Sequence, residues 1–238
     1  MVFMSFSQPS TVDMSLIRAA MVDLDGTLVD TLGDFEAALN AMLAELGCPS
    51  VSRAEIEQMV GKGSEHLVRS ALVRVAPAKA QALFASAIAS YQSHYACING
   101  AHSRVYEGVM DGLGALQAQG WVLACLTNKP TRFAAELLAQ KGLDAFFSVV
   151  VGGDAYPHKK PHPMPLLRTC EALGYAPQQT LMIGDSSNDA EAARAAGCPV
   201  VLVSYGYNHG QPIHQVQAHG YLDSLVEMRR WFMNKNGI

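Results

Sequence analysis

The chain has 238 residues, half of them hydrophobic and 16% charged, with a formal net charge of -4. That balance excludes the apolar-poor, highly charged composition of disordered chains and supplies core material for one large domain or two small ones. The mild acidity, with no block of Lys and Arg, argues against nucleic acid as a partner, so an anionic ligand has to be met by a few local cations or a metal.

Residues 1–15 read as a loose N-terminal extension: they lack the cationic start and continuous apolar stretch of a secretory signal, and Asp13 interrupts them. Met14 stands as a second candidate start. Ala19–Val22 is a short apolar run that ends in Asp23-Leu24-Asp25-Gly26-Thr27, the pattern of a buried strand entering a functional loop. From Asp34 the apolar residues Phe35, Leu39, Met42, Leu43 and Leu46 recur at helical spacing and stop at Gly47, a C-terminal cap. Arg53–Met59, Glu65–Val75 and Ala78–Tyr95 continue the helical pattern, so 31–103 is predicted to be a helical unit without a strand. After Tyr106-Glu107-Gly108 the pattern alternates. Helices are predicted over Val109–Gln119, Arg132–Gln140, Pro165–Leu173 and Asp189–Ala196, with strands at Trp121–Leu126, Phe147–Val151, Thr180–Ile183 and Val200–Val203. A last helix covers Ser224–Met233. Such βα alternation predicts an α/β fold, a Rossmann-like, doubly wound parallel sheet formed by 16–30 and 104–238, with 31–103 inserted as an α-helical cap. No apolar stretch approaches the roughly 20 residues of a bilayer span. The five cysteines (Cys48, Cys97, Cys125, Cys170, Cys198) are widely spaced and form no CxxC, which predicts neither a disulfide framework nor a zinc site and fits a reducing cytoplasm.

Ligands of open parallel sheets bind beyond the carboxyl ends of the strands. The polar residues that follow the predicted strands are Asp23 and Asp25, then Thr127, Asn128 and Lys129, then Gly184 through Asp189, with Lys160 in the loop beyond Val151. Several carboxylates at one crevice repel one another unless a cation sits between them. Hard oxygen donors without His or Cys favour Mg²⁺.

Four segments carry a resemblance: Asp23-Leu24-Asp25-Gly26-Thr27-Leu28-Val29-Asp30, Thr127-Asn128-Lys129, Lys160-Pro161-His162-Pro163, and Gly184-Asp185-Ser186-Ser187-Asn188-Asp189. In this order they resemble the four motifs of the haloacid dehalogenase superfamily, over nearly the whole chain. The resemblance implies that Asp23 is a nucleophile forming an aspartyl-phosphate and that Asp25 is the acid and base for leaving group and water. It implies Mg²⁺ held by Asp23, the main-chain carbonyl of Asp25 and Asp185, with Asp189 as a further ligand or an orienting group. Thr127, Asn128, Lys160 and the loop at Gly26 and Thr27 would hold the phosphoryl oxygens. The carboxylate at Asp25 favours phosphate esters, since members that cleave carbon–halogen or carbon–phosphorus bonds are expected to lack it. Thr127-Asn128-Lys129-Pro130, Gly152-Gly153-Asp154 and Ser204–Asn208 are similar to members acting on 2-phosphoglycolate.

The cap loop Gly61-Lys62-Gly63-Ser64 lies between two predicted helices, and Lys62 is a candidate reader of the substrate carboxylate. Plainer roles remain open: Thr127 and Asp189 each suit a helix start. His158 and His162 lie beside prolines with no acid at metal-ligand spacing. The expectation is a cytoplasmic Mg²⁺-dependent phosphatase, monomer or homodimer, acting on a small phosphorylated metabolite with neither nucleic acid nor membrane as partner. Alternatives are the same enzyme acting on a sugar phosphate, an amino-sugar phosphate or pyrophosphate, a phosphomutase, or a metabolite-binding regulator without turnover.

Overall fold

Ala19, Ala20, Met21 and Val22 are apolar on both faces of an extended chain, and a strand of that kind needs cover on both sides. In the computed structural model of the chain, which describes residues 12–233, they form β1 (Ala19–Val22), fully buried. The expected extension over 1–15 lies outside the described residues as far as residue 11. β1 pairs in parallel with β4 (Val122–Leu126) on one side and β6 (Thr180–Gly184) on the other. β5 (Val149–Val151) flanks β4, while β7 (Val200–Val203) and β8 (Gly220–Leu222) follow β6, giving the order β5-β4-β1-β6-β7-β8.

Alternate residues of these strands feed two separate cores, as the period of two requires. Ala20, Val22, Leu123, Cys125, Leu181 and Ile183 face Leu113 of α5 (Val109–Ala118) and Leu137 of α6 (Thr131–Gln140). Met21, Ala124, Leu126 and Met182 face Leu166 of α7 (Met164–Leu173) and Ala190 and Ala193 of α8 (Ser187–Ala196). The sheet is therefore doubly wound.

Between β1 and β4 the chain builds the cap: α1 (Leu32–Glu45), α2 (Arg53–Met59), α3 (Ser64–Val75) and α4 (Ala80–Ile98). Leu39, Met42, Ile56, Val68, Leu72 and Tyr91 form a third core there, which Phe133 of α6 and Tyr207 join from below. Asp34, fully buried, accepts hydrogen bonds from the main-chain N–H groups of Gly100 (2.9 Å) and His102 (2.7 Å) and so ties the cap's beginning to its end.

The structure adds two features to the sequence reading. β2 (Val29–Asp30) pairs antiparallel with β3 (Arg104–Val105) where the chain enters and leaves the cap. β8 extends the sheet by a strand. The C-terminal stretch begins with a 3-10 turn at Leu225–Glu227 before α9 (Met228–Met233). Among the described residues no helix is long and apolar enough to cross a membrane.

Candidate active site

Asp23 directly follows β1, and its main-chain N–H donates to Ile183 O at 2.9 Å, which fixes the aspartate at the mouth of the central strands. The chain then turns tightly. Gly26 adopts φ +85° and its N–H bonds Val29 O, while the N–H groups of Leu28 and Val29 both reach Leu24 O at 3.0 Å. A Cβ on Gly26 would lie 2.2 Å from Asp185 Oδ2, one on Gly206 2.2 Å from Asp185 Cβ, and one on Gly184 2.3 Å from Asp189 Cγ. Three glycines thus form a cradle in which the acids approach the backbone. The N–H groups of Gly26 and Thr27 are spent inside the turn, on Val29 O and Leu24 O, and Thr27 lies buried with its hydroxyl 3.5 Å from Asp185 Oδ1. Both residues shape the loop.

Asp23, Asp185 and Asp189 each place one oxygen within 4.8 Å of the others. Asp189 is the most constrained. Its Oδ1 accepts from Lys160 Nζ at 2.7 Å, and its Oδ2 accepts from Ser186 Oγ (2.7 Å) and from the N–H groups of Ser186 and Asp185. These bonds from Ser186 to Asp189 close the first turn of α8, which starts at Ser187, two residues before the predicted start. Asp185 Oδ2 accepts from the N–H of Tyr207 at 2.7 Å. Lys160 Nζ also donates to Leu126 O (2.7 Å) and stands 2.9 Å from Asp23 Oδ1, a buried oxygen with no well-directed hydrogen bond of its own.

Such crowding is unfavourable for anions. Burial pushes Asp23 up to about 7 against the attraction of Lys160, with repulsion from Asp189 and Asp25 adding to the rise. Burial, then Asp189 and Asp23, hold Asp185 well above the usual carboxylate range. Burial works against the charge of Lys160, but Asp189 and Asp23 outweigh it and raise its pKa. Counting Asp23, Asp25, Asp185 and Asp189 against Lys129 and Lys160, four carboxylates face two ammonium groups, an excess of two negative charges. One divalent cation balances that formal excess, and the all-oxygen donors, with Asp23 Oδ1 lacking a well-directed hydrogen bond, fit a hard cation.

A cavity opens between Asp23, Asp25 and Thr127 on the sheet side and Phe35, Tyr91 and Tyr95 on the cap side. Thr127 is buried, and its hydroxyl accepts from the N–H of Lys129 at 3.2 Å. Asn128 is a brace: its Nδ2 donates to Lys160 O (2.8 Å) and to Gly61 O of the cap loop (2.9 Å), and its Oδ1 accepts from the N–H of Lys160. Asn188 donates to the same Gly61 oxygen at 3.1 Å. Gly61 and Gly63 line the cavity, whereas Lys62 between them is exposed and outside it. The structure thus brings together all the sequence-derived site residues except Lys62. It adds Lys129, whose Nζ lies 2.9 Å from Asp25 Oδ1 and 2.5 Å from the Tyr95 hydroxyl. Lys129 stood in the Thr-Asn-Lys segment as a residue without a role. Tyr207, from the Ser204–Asn208 run, also reaches the cap entry, where its hydroxyl donates to Asp30 Oδ1 (3.0 Å) and accepts from the N–H of Thr31.

Comparison with known proteins follows the same lines. Residues 20–203 match the family model described as haloacid dehalogenase-like hydrolase. The chain is 46% identical over 212 residues to a phosphoglycolate phosphatase of Thiobacillus denitrificans, covering 89% of this chain and 93% of that protein. It is 43% identical to a phosphoglycolate phosphatase of Nitrosospira multiformis, again over 89% of this chain and 93% of the other. A crystal structure described as a predicted phosphoglycolate phosphatase from Haemophilus somnus superposes with a TM-score of 0.87 at 33% identity, over 91% of this chain and 98% of that one.

Proposed function

The chain belongs to the haloacid dehalogenase-like hydrolases, and from that membership we propose that it hydrolyses 2-phosphoglycolate to glycolate and phosphate with Mg²⁺ in its acidic centre. It is a phosphoric monoester hydrolase. The observation that carries the reading is Asp23, held beside Lys160, Asp185 and Asp189 on one side and open to a cavity containing Asp25 on the other. The cap is taken as 31–103 and the core as 16–30 with 104–238.

A carboxylate oxygen of Asp23 attacks phosphorus, and the ester P–O bond breaks as an aspartyl-phosphate forms. The departing alkoxide takes its proton from Asp25. Asp25, now a carboxylate, removes a proton from the water that attacks the phosphoryl group, and the bond to Asp23 breaks to give phosphate and free enzyme. Thr127 and Lys160 hold the transferring oxygens, whose charge has to be met throughout. Asp23, Asp185 and the main-chain carbonyl of Asp25 would hold Mg²⁺, which would supply the positive charge that lets a carboxylate approach a phosphate ester. Asp189, with both oxygens engaged, orients Lys160 and the Asp185–Ser186 turn. The same reading takes the enzyme as a cytoplasmic monomer or homodimer whose partner is a small phosphorylated metabolite, not nucleic acid.

The test is phosphate release from 2-phosphoglycolate, sugar and amino-sugar phosphates, and pyrophosphate, with Mg²⁺ or EDTA, for wild type and Asp23→Asn. The expected result is a Mg²⁺-dependent preference for 2-phosphoglycolate, lost by several orders of magnitude in Asp23→Asn. The melting temperature of the metal-free variant should be equal to or above that of wild type, because the substitution relieves repulsion. Preference for another ester reassigns the substrate, and turnover unaffected by Asp23→Asn removes the mechanism.

A further inference from the structure

We infer that Lys129 is the residue by which this enzyme selects a leaving group that carries its own negative charge, a short carboxylic acid, an assignment that rests on the phosphatase reading above. Among the described residues lining the cavity, Lys129 is the one cation. Lys62, the other candidate for the role, stands exposed outside it. Lys160 does not line the cavity: it bonds Leu126 O and Asp189 and stands beside Asp23 at the phosphoryl end. Lys129 has two acceptors, the Asp25 carboxylate and the Tyr95 hydroxyl. An ammonium has three N–H donors, so one remains for a ligand.

The surroundings make that donor matter. The Lys129 side chain is 2% exposed, and its Nζ lies 4.7 Å from the ring centroids of both Phe35 and Tyr95. Ring faces attract a cation but do not neutralise it, and a buried charge without a counter-ion is costly. Asp25 is its one ionic partner. A leaving group bearing a carboxylate meets the remaining N–H with a second negative charge, whereas a neutral one excludes water from that N–H and offers no charge in return. Discrimination then comes from the penalty on the wrong substrate as much as from attraction to the right one. Lys129 and the phosphate-holding Lys160 divide the work: one reads the ester's far end and the other its phosphoryl group.

The experiment compares kcat/KM for 2-phosphoglycolate and for 2-hydroxyethyl phosphate, which has the same length and no carboxylate, in wild type, Lys129→Met and Lys129→Arg. Wild type is expected to favour the acid. Lys129→Met should reduce kcat/KM for 2-phosphoglycolate by about 100-fold more than for 2-hydroxyethyl phosphate, the difference lying chiefly in KM; Lys129→Arg should retain part of the preference. An equal fall on both esters overturns the assignment and leaves Lys129 as a support for Asp25. Should Lys129→Met fail to fold, Lys129→Arg and competitive inhibition of wild type by glycolate against ethylene glycol still decide it, since equal inhibition by the two overturns it. If 2-phosphoglycolate itself is a poor substrate, other acidic and neutral ester pairs separate the two readings. A preference for acidic esters that Lys129→Met abolishes supports Lys129 and counts only against the substrate. No such preference in wild type counts against Lys129.

Discussion

Gly26 meets two demands at once. Its φ of +85° belongs to the left-handed region, and any side chain there would run into Asp185 Oδ2 and the ring of Tyr207. Gly26→Ala is expected to cost about 1–3 kcal/mol from backbone strain and, more tellingly, to displace Asp185. The measurement is the rise in melting temperature on adding Mg²⁺, which should shrink well beyond what the lower starting stability explains; an unchanged rise would show that Asp185 tolerates the displacement. At this scale the sequence was most informative where chemistry demands a fixed residue type next to a strand end, as at Asp23, Asp25 and Asp185, and in the Lys160-Pro161 segment of the loop beyond β5. Lys129 was not legible, because a lysine at the start of a helical segment is ordinarily solvated. It becomes a buried cation only when Phe35 and Tyr95 from two cap helices close over it.

Among elements, α2 shows how a short helix is pinned. Ser52 caps it and Glu55 reaches back to the N–H and hydroxyl of Ser52, while Arg74 of α3 adds an ion pair to the same carboxylate. These bonds, from the backbone of Ser52 first, then its hydroxyl, then Arg74, lower the Glu55 pKa from 4.5 to about 2. A depressed carboxyl stabilises the fold above its unfolded pKa and ceases to do so as pH falls through its folded one. Glu55→Gln should therefore melt slightly below wild type at neutral pH, and the gap should close as pH is lowered from 4.5 towards 2; a gap that persists at the acid end would refute the assignment. The helical periods of α1 to α4 were legible, as were the apolar strands of the sheet. β2 and β3 were not, for a two-residue strand has no period, and each exists only through its partner across the whole cap. β8 escaped for a related reason: three residues beginning with Gly220, pairing on one side with β7, resemble a loop.

For the whole molecule, the decisive relation is between cap and core. The cavity lies beneath the cap, with Phe35, Tyr91 and Tyr95 facing Asp23 and Asp25 across it. Widening its mouth for substrate means parting the cap loop from the core. The closure that has to yield is local: Asn128 and Asn188 share the Gly61 carbonyl, and Asn188 also meets His209 Nε2 at 3.2 Å. Each such bond contributes about 1 kcal/mol, so removing one should shift the balance measurably. In Asn188→Ala, hydrogen exchange at the amides of Gly61–Ser64 is expected to rise several-fold without ligand, while exchange in β1 stays as in wild type. Equal exchange at the loop would mean that the latch lies elsewhere. The insertion of helices after the first strand was legible from the loss of βα alternation, but the closed fit was not, since it depends on which side chains of α1 and α4 face the sheet.

The pairing of Val29–Asp30 with Arg104–Val105 brings the chain's exit from the core and its return to one spot. Everything between these residues is, topologically, the loop of a hairpin. A loop can be lengthened, shortened or traded without altering the order of the strands that carry it, so a different helical block spliced at the same two points would inherit Asp23, the lysine beside it and the acidic centre unchanged. Tyr95 and Phe35 would leave with the old block while Lys129 stayed behind, and the next occupant of that space would decide what the lysine reads.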